Sequence, residues 1–251
     1  MGEIVADFVA ESDALADLLS TLSDDQWLTP TPADGWDVRD SVTHLAHANE
    51  LADEIARTGR SEFMETALAS GELETVEREH LERGRSMAPA DVLAWFDRTV
   101  RALAASVVKV PAGERLKWGP MKMGVTSFMT GRLMETWAHG LDCFDAVDRE
   151  PIDTERLQHV AHLGLSTLPY AFMVHGLPAP GAVRLVLAAP DGTTWRLGYD
   201  SAPTLIEGTA GDWCRAAVRR DRRGERQRLR GIGPDADAVI TNAQAYLSAP
   251  T

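Results

Sequence analysis

The chain has 251 residues, of which 44% are hydrophobic and 25% are charged, and these ordinary globular proportions exclude a disordered chain. Its net charge of −13 argues against a general nucleic-acid binder, because contacts to phosphate supply most of the non-specific affinity in that class. No apolar run approaches the ~18–20 residues of a membrane span, so we expect no membrane contact.

The predicted elements of the first 150 residues are helical. Phe8, Leu15, Leu18 and Leu22 have the spacing of an apolar helical stripe, and Asp37 follows a Pro- and Gly-containing turn as a candidate helix cap. The predicted long helices cover residues 5–22, 37–57, 89–108 and 125–147; residues 61–85 have a weaker helical pattern, and 111–120 form a connection. This arrangement favours an up-and-down four-helix bundle.

The balance of acidic and basic residues changes after residue 150. Residues 1–150 hold 14 Lys and Arg against 28 Asp and Glu, a net charge of −14, whereas residues 151–251 hold 11 against 10, a net charge of +1. Such a shift indicates a domain boundary. We therefore predict a two-domain α+β protein, with a helix bundle in residues 1–150 and a small α+β domain in residues 151–251.

The second domain combines short strands with helices. Asp191-Gly192 lies between two segments rich in strand-forming residues, which is typical of a hairpin. The predicted strands cover residues 183–187, 193–197, 204–208 and 226–231. The predicted helices cover residues 154–174, 211–220 and 235–247.

The fourth long helix carries a possible metal-binding pair. Glu135 and His139 are four residues apart, so both side chains project from one face of the helix, together with Arg132 and Asp142. A carboxylate and an imidazole placed in this way can supply two ligands to a divalent metal. An ordinary solvated pair is the competing interpretation, because many surface helices have this spacing.

The second long helix contains a candidate third ligand, His44, which lies between Val42 and Leu45 in a core-facing part of the helix. One interpretation is a core or surface histidine. The other is a ligand that meets Glu135 and His139 in the bundle interior, where facing helices commonly hold metals. Two histidines and one carboxylate leave coordination positions open, as a catalytic zinc site requires.

Two motifs give the chain a resemblance to a known family: GWDVRDSVTHLA at residues 35–46 and ETWAHGLD at residues 135–142. With these motifs, roughly residues 5–150 resemble the mycothiol-dependent maleylpyruvate isomerase family, which belongs to the DinB-like four-helix bundles. More loosely, the C-terminal part is similar to the small, sterol-carrier-like α+β domain of that family. The resemblance implies a divalent metal, most often zinc, bound by His44, Glu135 and His139.

Residues beside the predicted ligands have several possible roles. His47 is a candidate for hydrogen bonding to a ligand or cofactor, or for competing as a ligand. Arg132 either pairs with Glu135 or meets an anionic molecule, so we predict that His47 and Arg132 bind the cofactor. Asp142 fits a supporting carboxylate better than a ligand, and Cys143 fits core packing better than a functional thiol.

Residues 211–230 hold eight arginines against Asp212, Asp221 and Glu225. One interpretation is a solvated segment, either unpaired or paired with the acidic first domain. The other is a site for carboxylates, which arginine binds in a fork. The resemblance implies a catalytic arginine in the second domain, and we assign Arg219 and Arg220 as candidates. Nucleic-acid binding is disfavoured, since no aromatic residues lie among the arginines of residues 219–230.

The remaining histidines and the tryptophans give weaker signals. No partner pattern surrounds the other histidines, which we interpret as solvated or interdomain residues: His80, His159, His162 and His175. A place in the pocket lining is the alternative for His159 and His162. Three of the five tryptophans of the first domain are interpreted as core or pocket wall: Trp36, Trp95 and Trp137.

The leading functional hypothesis is a metal-dependent isomerase or transferase that uses mycothiol or another low-molecular-weight thiol. Its substrate is expected to be a small anionic or electrophilic molecule. The same site suits a hydrolase that activates water. The alternatives from other classes are a non-catalytic metal- or ligand-binding protein and a bundle whose site has lost its purpose.

Glu3 and Asp7 stand where a signal peptide carries basic residues, and two cysteines give no disulfide framework, so we expect a cytoplasmic location. The oligomeric state is left open.

Overall fold

The computed structural model describes residues 2–70, 73–119 and 121–246, with the side chains of residues 67–78 excepted. The chain divides into two compact units, Met1–Pro151 and Ile152–Thr251. Within the described ranges, no helix has both the length and the apolar content needed to cross a membrane. The first unit is mainly helical and the second contains a sheet, as expected of an α+β protein.

The helices of the first unit are α1 (Gly2–Ser20), α2 (Asp24–Trp27), α3 (Val38–Thr58), α4 (Glu62–Ser70), α5 (Leu73–Arg85), α6 (Pro89–Val107) and α7 (Val125–Ala146). The four long helices α1, α3, α6 and α7 were predicted to within three residues at each end. Helix α3 packs against α6 and α7, and α1 packs against the same two helices. Their apolar stripes form the core, in which Phe8, Trp95 and Phe96 are fully buried.

The start of α3 is fixed by a capping box. The Asp37 carboxylate accepts a hydrogen bond from the Asp40 amide at 2.8 Å, and the Asp40 carboxylate accepts one from the Asp37 amide at 3.2 Å. Gly59 ends the helix with a φ of 81°, a left-handed conformation that glycine adopts without steric cost. These ends fix the rotation of α3 and therefore the direction in which His44 projects.

Helix α5 is held against α3 by an ion pair between the exposed Arg85 and a buried carboxylate. Asp40 is 1% exposed, and Arg85 donates to its two carboxylate oxygens at 2.9 and 2.8 Å. The two helices approach closely beside this pair. Gly84 leaves no room for a side chain, since an added Cβ would lie 1.9 Å from Oγ1 of Thr43. Asp40 therefore both caps α3 and fixes α5 on it.

The predicted connection over residues 111–120 is incomplete as a description. It contains strand β1 (Arg115–Trp118), which forms an antiparallel hairpin with β2 (Met121–Gly124). Each strand has only four residues, which is too short for an alternating pattern to be recognised in the sequence. Residue 120 lies outside the described part of the chain. The hairpin packs on α7, and β1 also contacts α3.

The second unit contains a four-stranded sheet in the order β4-β3-β5-β6. The hairpin predicted at Asp191-Gly192 joins β3 and β4, whereas β3 and β5 are parallel and β6 pairs antiparallel with β5. The strands are β3 (Val183–Ala188), β4 (Thr194–Gly198), β5 (Thr204–Thr209) and β6 (Arg230–Ile232). The helices are α8 (Leu157–Ser166), α9 (Leu168–Val174), α10 (Ala210–Ala217), α11 (Glu225–Arg228) and α12 (Ala236–Asn242).

Three predictions for the second unit need correction. The helix predicted over residues 154–174 is two helices, α8 and α9, because Pro169 has no amide hydrogen to continue the first. The strand predicted over residues 226–231 begins only at Arg230, after the short helix α11, in which Arg226 bonds to Asp221 at 2.9 Å. The final helix ends at Asn242, and Leu247 lies outside the described residues.

The contact between α5 and α3 gives a test of the packing. We expect Gly84→Ala to destabilise the protein by about 1–2 kcal/mol, because overpacking a close helix contact forces the neighbouring side chain and backbone to move. Gly131→Ala on α7 is the matched control, since its added Cβ meets nothing within 4 Å and alanine has the higher helix propensity.

Urea denaturation of both variants measures the two changes in the free energy of unfolding. The packing described here is contradicted if Gly84→Ala is at least as stable as Gly131→Ala.

Candidate metal centre

The structure brings together the three residues that the sequence suggested as ligands. His44 lies on α3, and Glu135 and His139 lie one turn apart on α7. One donor atom from each of the three lies within 4.8 Å of the other two. Nε2 of His44 is 3.8 Å, and Nε2 of His139 is 3.5 Å, from Oε2 of Glu135. This convergence of two imidazoles and one carboxylate is a possible metal site.

The electrostatics of the three groups differ in a way that suits a cation. Burial lowers the pKa of His44 to about 4, so its imidazole is neutral and has a free lone pair at neutral pH. Burial alone would raise the pKa of Glu135, but hydrogen bonding to His139 and His44 and the charge of Arg132 hold it well below its usual range. The centre therefore presents one carboxylate and a neutral imidazole.

His139 is oriented by a second carboxylate. Its Nδ1 lies 3.3 Å from Oδ2 of Asp142, which is 0% exposed, while Nε2 faces Glu135. Burial disfavours the charged imidazole, but the bonds to Asp142 and Glu135 outweigh this effect and raise the pKa of His139. A carboxylate on the far nitrogen of a ligating histidine is the usual support in metal sites. Asp142 thus has the supporting position expected for it.

Trp36 forms a wall of the centre. Its ring stacks on that of His139 at a centroid distance of 5.5 Å and lies 5.1 Å from that of His44. The tryptophan is held by a closed loop, in which the Thr31 amide donates to the Trp36 carbonyl at 2.8 Å. Gly35 permits the preceding turn with a φ of 75°. The turn predicted from the sequence therefore positions an aromatic ring over both histidines.

Comparison with known proteins identifies the family to which this site belongs. Residues 8–144 match the Mycothiol maleylpyruvate isomerase N-terminal domain. The chain belongs to this family. The matched residues include the whole predicted motif, from Trp36 and His44 to Asp142, and cover more than half of the chain.

Similar proteins agree with this assignment over almost the full chain. The uncharacterized proteins MT0041 and Rv0036c of Mycobacterium tuberculosis (strains CDC 1551 / Oshkosh and ATCC 25618 / H37Rv) are each 37% identical over 252 residues, covering 99% of this chain and 97% of theirs. Crystal structures of the mycothiol-dependent maleylpyruvate isomerase and of a histidine-to-alanine mutant of it are similar in fold. Each has a TM-score of 0.59, 14% identity and 91% coverage of both chains.

His47 of this family member faces a different neighbourhood from that of His44. Its ring lies 3.3 Å from that of His80 and 5.2 Å from that of Phe63, measured between centroids. Its Nδ1 is 3.8 Å from Oε2 of Glu50, which also accepts hydrogen bonds from Arg83. The prediction that His80 lacks a partner is therefore wrong. The packing of α5 on α3 creates this pair, and no spacing along one helix could reveal it.

Arg132 is the other predicted cofactor-binding residue, and it lies beside the centre. It is 5% exposed, and its guanidinium carbon is 5.0 Å from the ring centroid of Trp118 on β1. Its charge acts on both His44 and Glu135. The role of Trp118 was missed because the hairpin itself was not predicted.

The arginine-rich segment of the second unit pairs with acids of that same unit. The Arg215 guanidinium on α10 donates two hydrogen bonds, each of 2.8 Å, to the carboxylate oxygens of Asp153 near the start of this unit. Further pairs link Arg226 with Asp221, Arg228 with Asp212 and Arg230 with Glu207. Each of these four arginines therefore has an acidic partner within its own unit.

Arg219 and Arg220 follow α10. Arg219 has a φ of 58°, a left-handed conformation that is uncommon for a residue with a side chain. Nη1 of Arg220 donates to the Val218 carbonyl at 3.0 Å. The catalytic role assigned to Arg219 and Arg220 stays a prediction. In the same unit, His159 and His175 are half-buried and His162 is exposed.

Both cysteines of the chain are buried thiols. Cys143 on α7 and Cys214 on α10 are each 0% exposed. Burial raises the pKa of both, so both stay protonated at neutral pH. Cys143 accordingly packs in the core, as expected, and supplies no thiolate.

We expect neither cysteine of the native protein to react with Ellman's reagent at pH 7.5, because the reagent needs an exposed thiolate. Both are expected to react after unfolding in guanidinium chloride. Absorbance at 412 nm measures the reaction, and rapid labelling of the native protein would contradict the buried environment described here.

Proposed function

We propose that this protein is a metal-dependent, thiol-using enzyme of the mycothiol maleylpyruvate isomerase type, with a DinB-like helix bundle as its first domain. The observation that carries the proposal is the convergence of His44, Glu135 and His139 within 4.8 Å of one another. The family assignment supplies the expected cosubstrate, which is mycothiol or a similar low-molecular-weight thiol. The sterol-carrier-like nature of the second domain and a cytoplasmic location belong to the same proposal.

The donor set fits a divalent metal, and zinc best. Three protein ligands that offer imidazole nitrogens and a carboxylate oxygen are typical of catalytic zinc sites. Such sites keep a further coordination position open. The structure supports this fit in a second way, since the carboxylates of Glu135 and Asp142 raise the pKa of His139 between them. A metal bound to His139 would displace this proton, and the two carboxylates would then compensate the charge of the metal.

The thiol has to come from outside the chain. Cys143 and Cys214 are both buried and protonated, so neither is a nucleophile at neutral pH. A bound divalent metal supplies a Lewis-acid position at which a thiol loses its proton near pH 7. This requirement favours a cosubstrate thiol over a covalent mechanism on a cysteine of the protein.

The proposed reaction begins with addition of the thiolate to a conjugated carbon–carbon double bond. A carbon–sulfur bond forms and the electron pair moves into the conjugated carbonyl. Rotation about the resulting single bond and departure of the same thiolate give the isomer, with no net change in atoms. In a transferase reaction, protonation of the adduct gives the product instead.

The residues of the chain have distinct tasks in this scheme. His44, Glu135 and His139 hold the cation, and Asp142 orients His139. Trp36 stacks on the imidazole of His139, lies beside that of His44 and keeps water from that side of the centre. We retain Arg219 and Arg220 as candidates for binding an anionic group of the substrate.

The first test is metal content. We expect His44→Ala and Glu135→Ala to lower bound zinc by at least about tenfold, since loss of even a supporting residue lowers affinity 10–100-fold. His47→Ala is the matched control, because this second histidine of α3 faces His80 rather than the centre. Mass spectrometry of the purified, zinc-supplemented proteins measures the ratio. Equal zinc in all four proteins, or none in the wild type, contradicts the proposal.

The second test separates an enzyme from a metal-binding protein. We expect the cobalt-substituted protein to develop charge-transfer absorption in the near ultraviolet when mycothiol is added, because a thiolate then occupies the open position. The Arg98→Gln protein, which is changed on the exposed face of α6, is expected to behave as the wild type. Metal binding without any response to mycothiol or other thiols would favour the non-catalytic alternative.

A further inference from the structure

Two histidine rings touch where α5 packs on α3. The ring centroids of His47 and His80 are 3.3 Å apart, and the ring planes meet at 67°. Phe63 of α4 closes the contact, with its ring centroid 5.2 Å from that of His47 and 4.6 Å from that of His80. Both ring nitrogens of His47 are buried and have no hydrogen-bond partner. The contact is therefore a pair of imidazoles shielded from water, and the proposed function uses neither of them.

The acid beside this pair is already compensated by an arginine. Oε2 of Glu50 lies 3.8 Å from Nδ1 of His47, and the same carboxylate accepts hydrogen bonds from Arg83 at 2.9 Å and from Trp95 at 2.7 Å. Burial raises the pKa of Glu50, but the contacts with His47, Arg83 and Trp95 outweigh it and lower the value to about 2. Glu50 therefore stays ionised in mild acid, with the Arg83 guanidinium as its closest cation.

Most of the charges around His80 oppose its protonation. Among the described residues, the four charges that act on it most strongly belong to His47, Arg83, His44 and Glu50. Only Glu50 is acidic. Helix α4 meets the pair with Phe63, while its acid Glu65 is engaged by Arg60 at 2.8 Å. Burial is the main cause, and the three basic groups add to it, in lowering the pKa of His80 to about 4.

The C-terminal end of α5 is also held by arginines, which stay charged throughout the physiological range of pH. These pairs join Arg85 to Asp40 and Arg83 to Glu50. Histidine is the side chain that ordinarily changes its charge between pH 7 and pH 5. Among the described contacts of α5, the imidazole pair is therefore the one that mild acid affects first.

We propose that His47 and His80 form an acid-sensitive latch, which holds α5 on α3 near neutral pH and releases it when a proton binds. Two touching imidazoles repel each other strongly when both are charged, and even one charge loses its hydration in this contact. The proposal goes beyond the proposed function and does not depend on a bound metal.

The direction of the pH dependence follows from linkage between protonation and release. A histidine freed from the contact regains an ordinary pKa of about 6.5. Below that pH the released form binds a proton that the closed form does not, so the closed form is fully favoured above pH 6.5 and loses stability as the pH falls towards 4. The first unit thus has one helix whose attachment weakens in mild acid, while its long helices stay packed.

Hydrogen exchange followed by mass spectrometry tests the latch in the full-length, zinc-supplemented protein. We expect the protection factor of α5, corrected for the intrinsic exchange rate, to fall about thirtyfold between pH 7.5 and pH 5.0, which is the factor that linkage gives for pKa values of 6.5 and about 4. The His80→Gln protein is expected to show no such fall, because glutamine does not titrate. Helix α6 is the internal reference for global unfolding, and its protection is expected to stay constant.

A matched control separates the latch from histidine content in general. His162 is an exposed histidine of α8 in the second unit, and we expect His162→Gln to show the same fall in α5 protection as the wild type. Loss of metal at pH 5.0 affects all three proteins alike and cancels in the comparison. Constant protection of α5 in the wild type, or an equal fall in the wild type and in His80→Gln, would overturn the proposal.

NMR titration of the His80 ring in the wild type keeps the test decisive if His80→Gln does not fold. A midpoint near 4 supports the latch, and a midpoint at or above the ordinary value of about 6.5 overturns it. Zinc and thiol binding test the proposed function separately, so failure of the latch and failure of that function appear in different experiments.

Discussion

The site depends on one electrostatic constraint: ionisable groups from two helices are held close together in a largely apolar interior. His44, Glu135, His139 and Asp142 each lose part of their hydration, and the cost is offset only by what they do for one another. Glu135 stays ionised because it faces both imidazoles, and His139 lies between two carboxylates. A metal cation bound here would complete this balance, since it would replace a proton with a larger charge at the same point.

The surrounding fold holds those four side chains at fixed positions relative to one another. The capping box of Asp37 and Asp40 fixes the start of α3, and Arg85 uses the same Asp40 to fix α5. Asp40 precedes His44 by one turn of α3, so the capped end of the helix lies next to this candidate ligand. On the other side, the β1–β2 hairpin places Trp118 against Arg132. The centre is thus bounded by elements with their own local constraints.

The sequence predicted the features that depend on spacing along one helix. Glu135 and His139 were recognised as a pair because four residues make one turn, and Asp37 was recognised as a cap from its position before an apolar helix. The meeting of His44 with that pair followed from the residue types and the family motif. The break between α8 and α9 was missed although Pro169 is present, because the apolar pattern continues across it.

Features that depend on packing between helices were outside the reach of the sequence. The contact of His47 with His80 arises because Gly84 and the Asp40–Arg85 pair bring α5 onto α3. Trp36 was expected to be core or pocket wall, but its stacking on His139 depends on a loop closed by backbone hydrogen bonds. In each case the two partners lie more than 30 residues apart, and only the folded chain defines their distance.

The most direct measurement is a crystal structure of the zinc-supplemented protein with diffraction data recorded on both sides of the zinc absorption edge. The account predicts an anomalous peak about 2 Å from one nitrogen each of His44 and His139 and from a carboxylate oxygen of Glu135. No peak at that position, or a peak bound to other side chains while these three remain unligated, would contradict it.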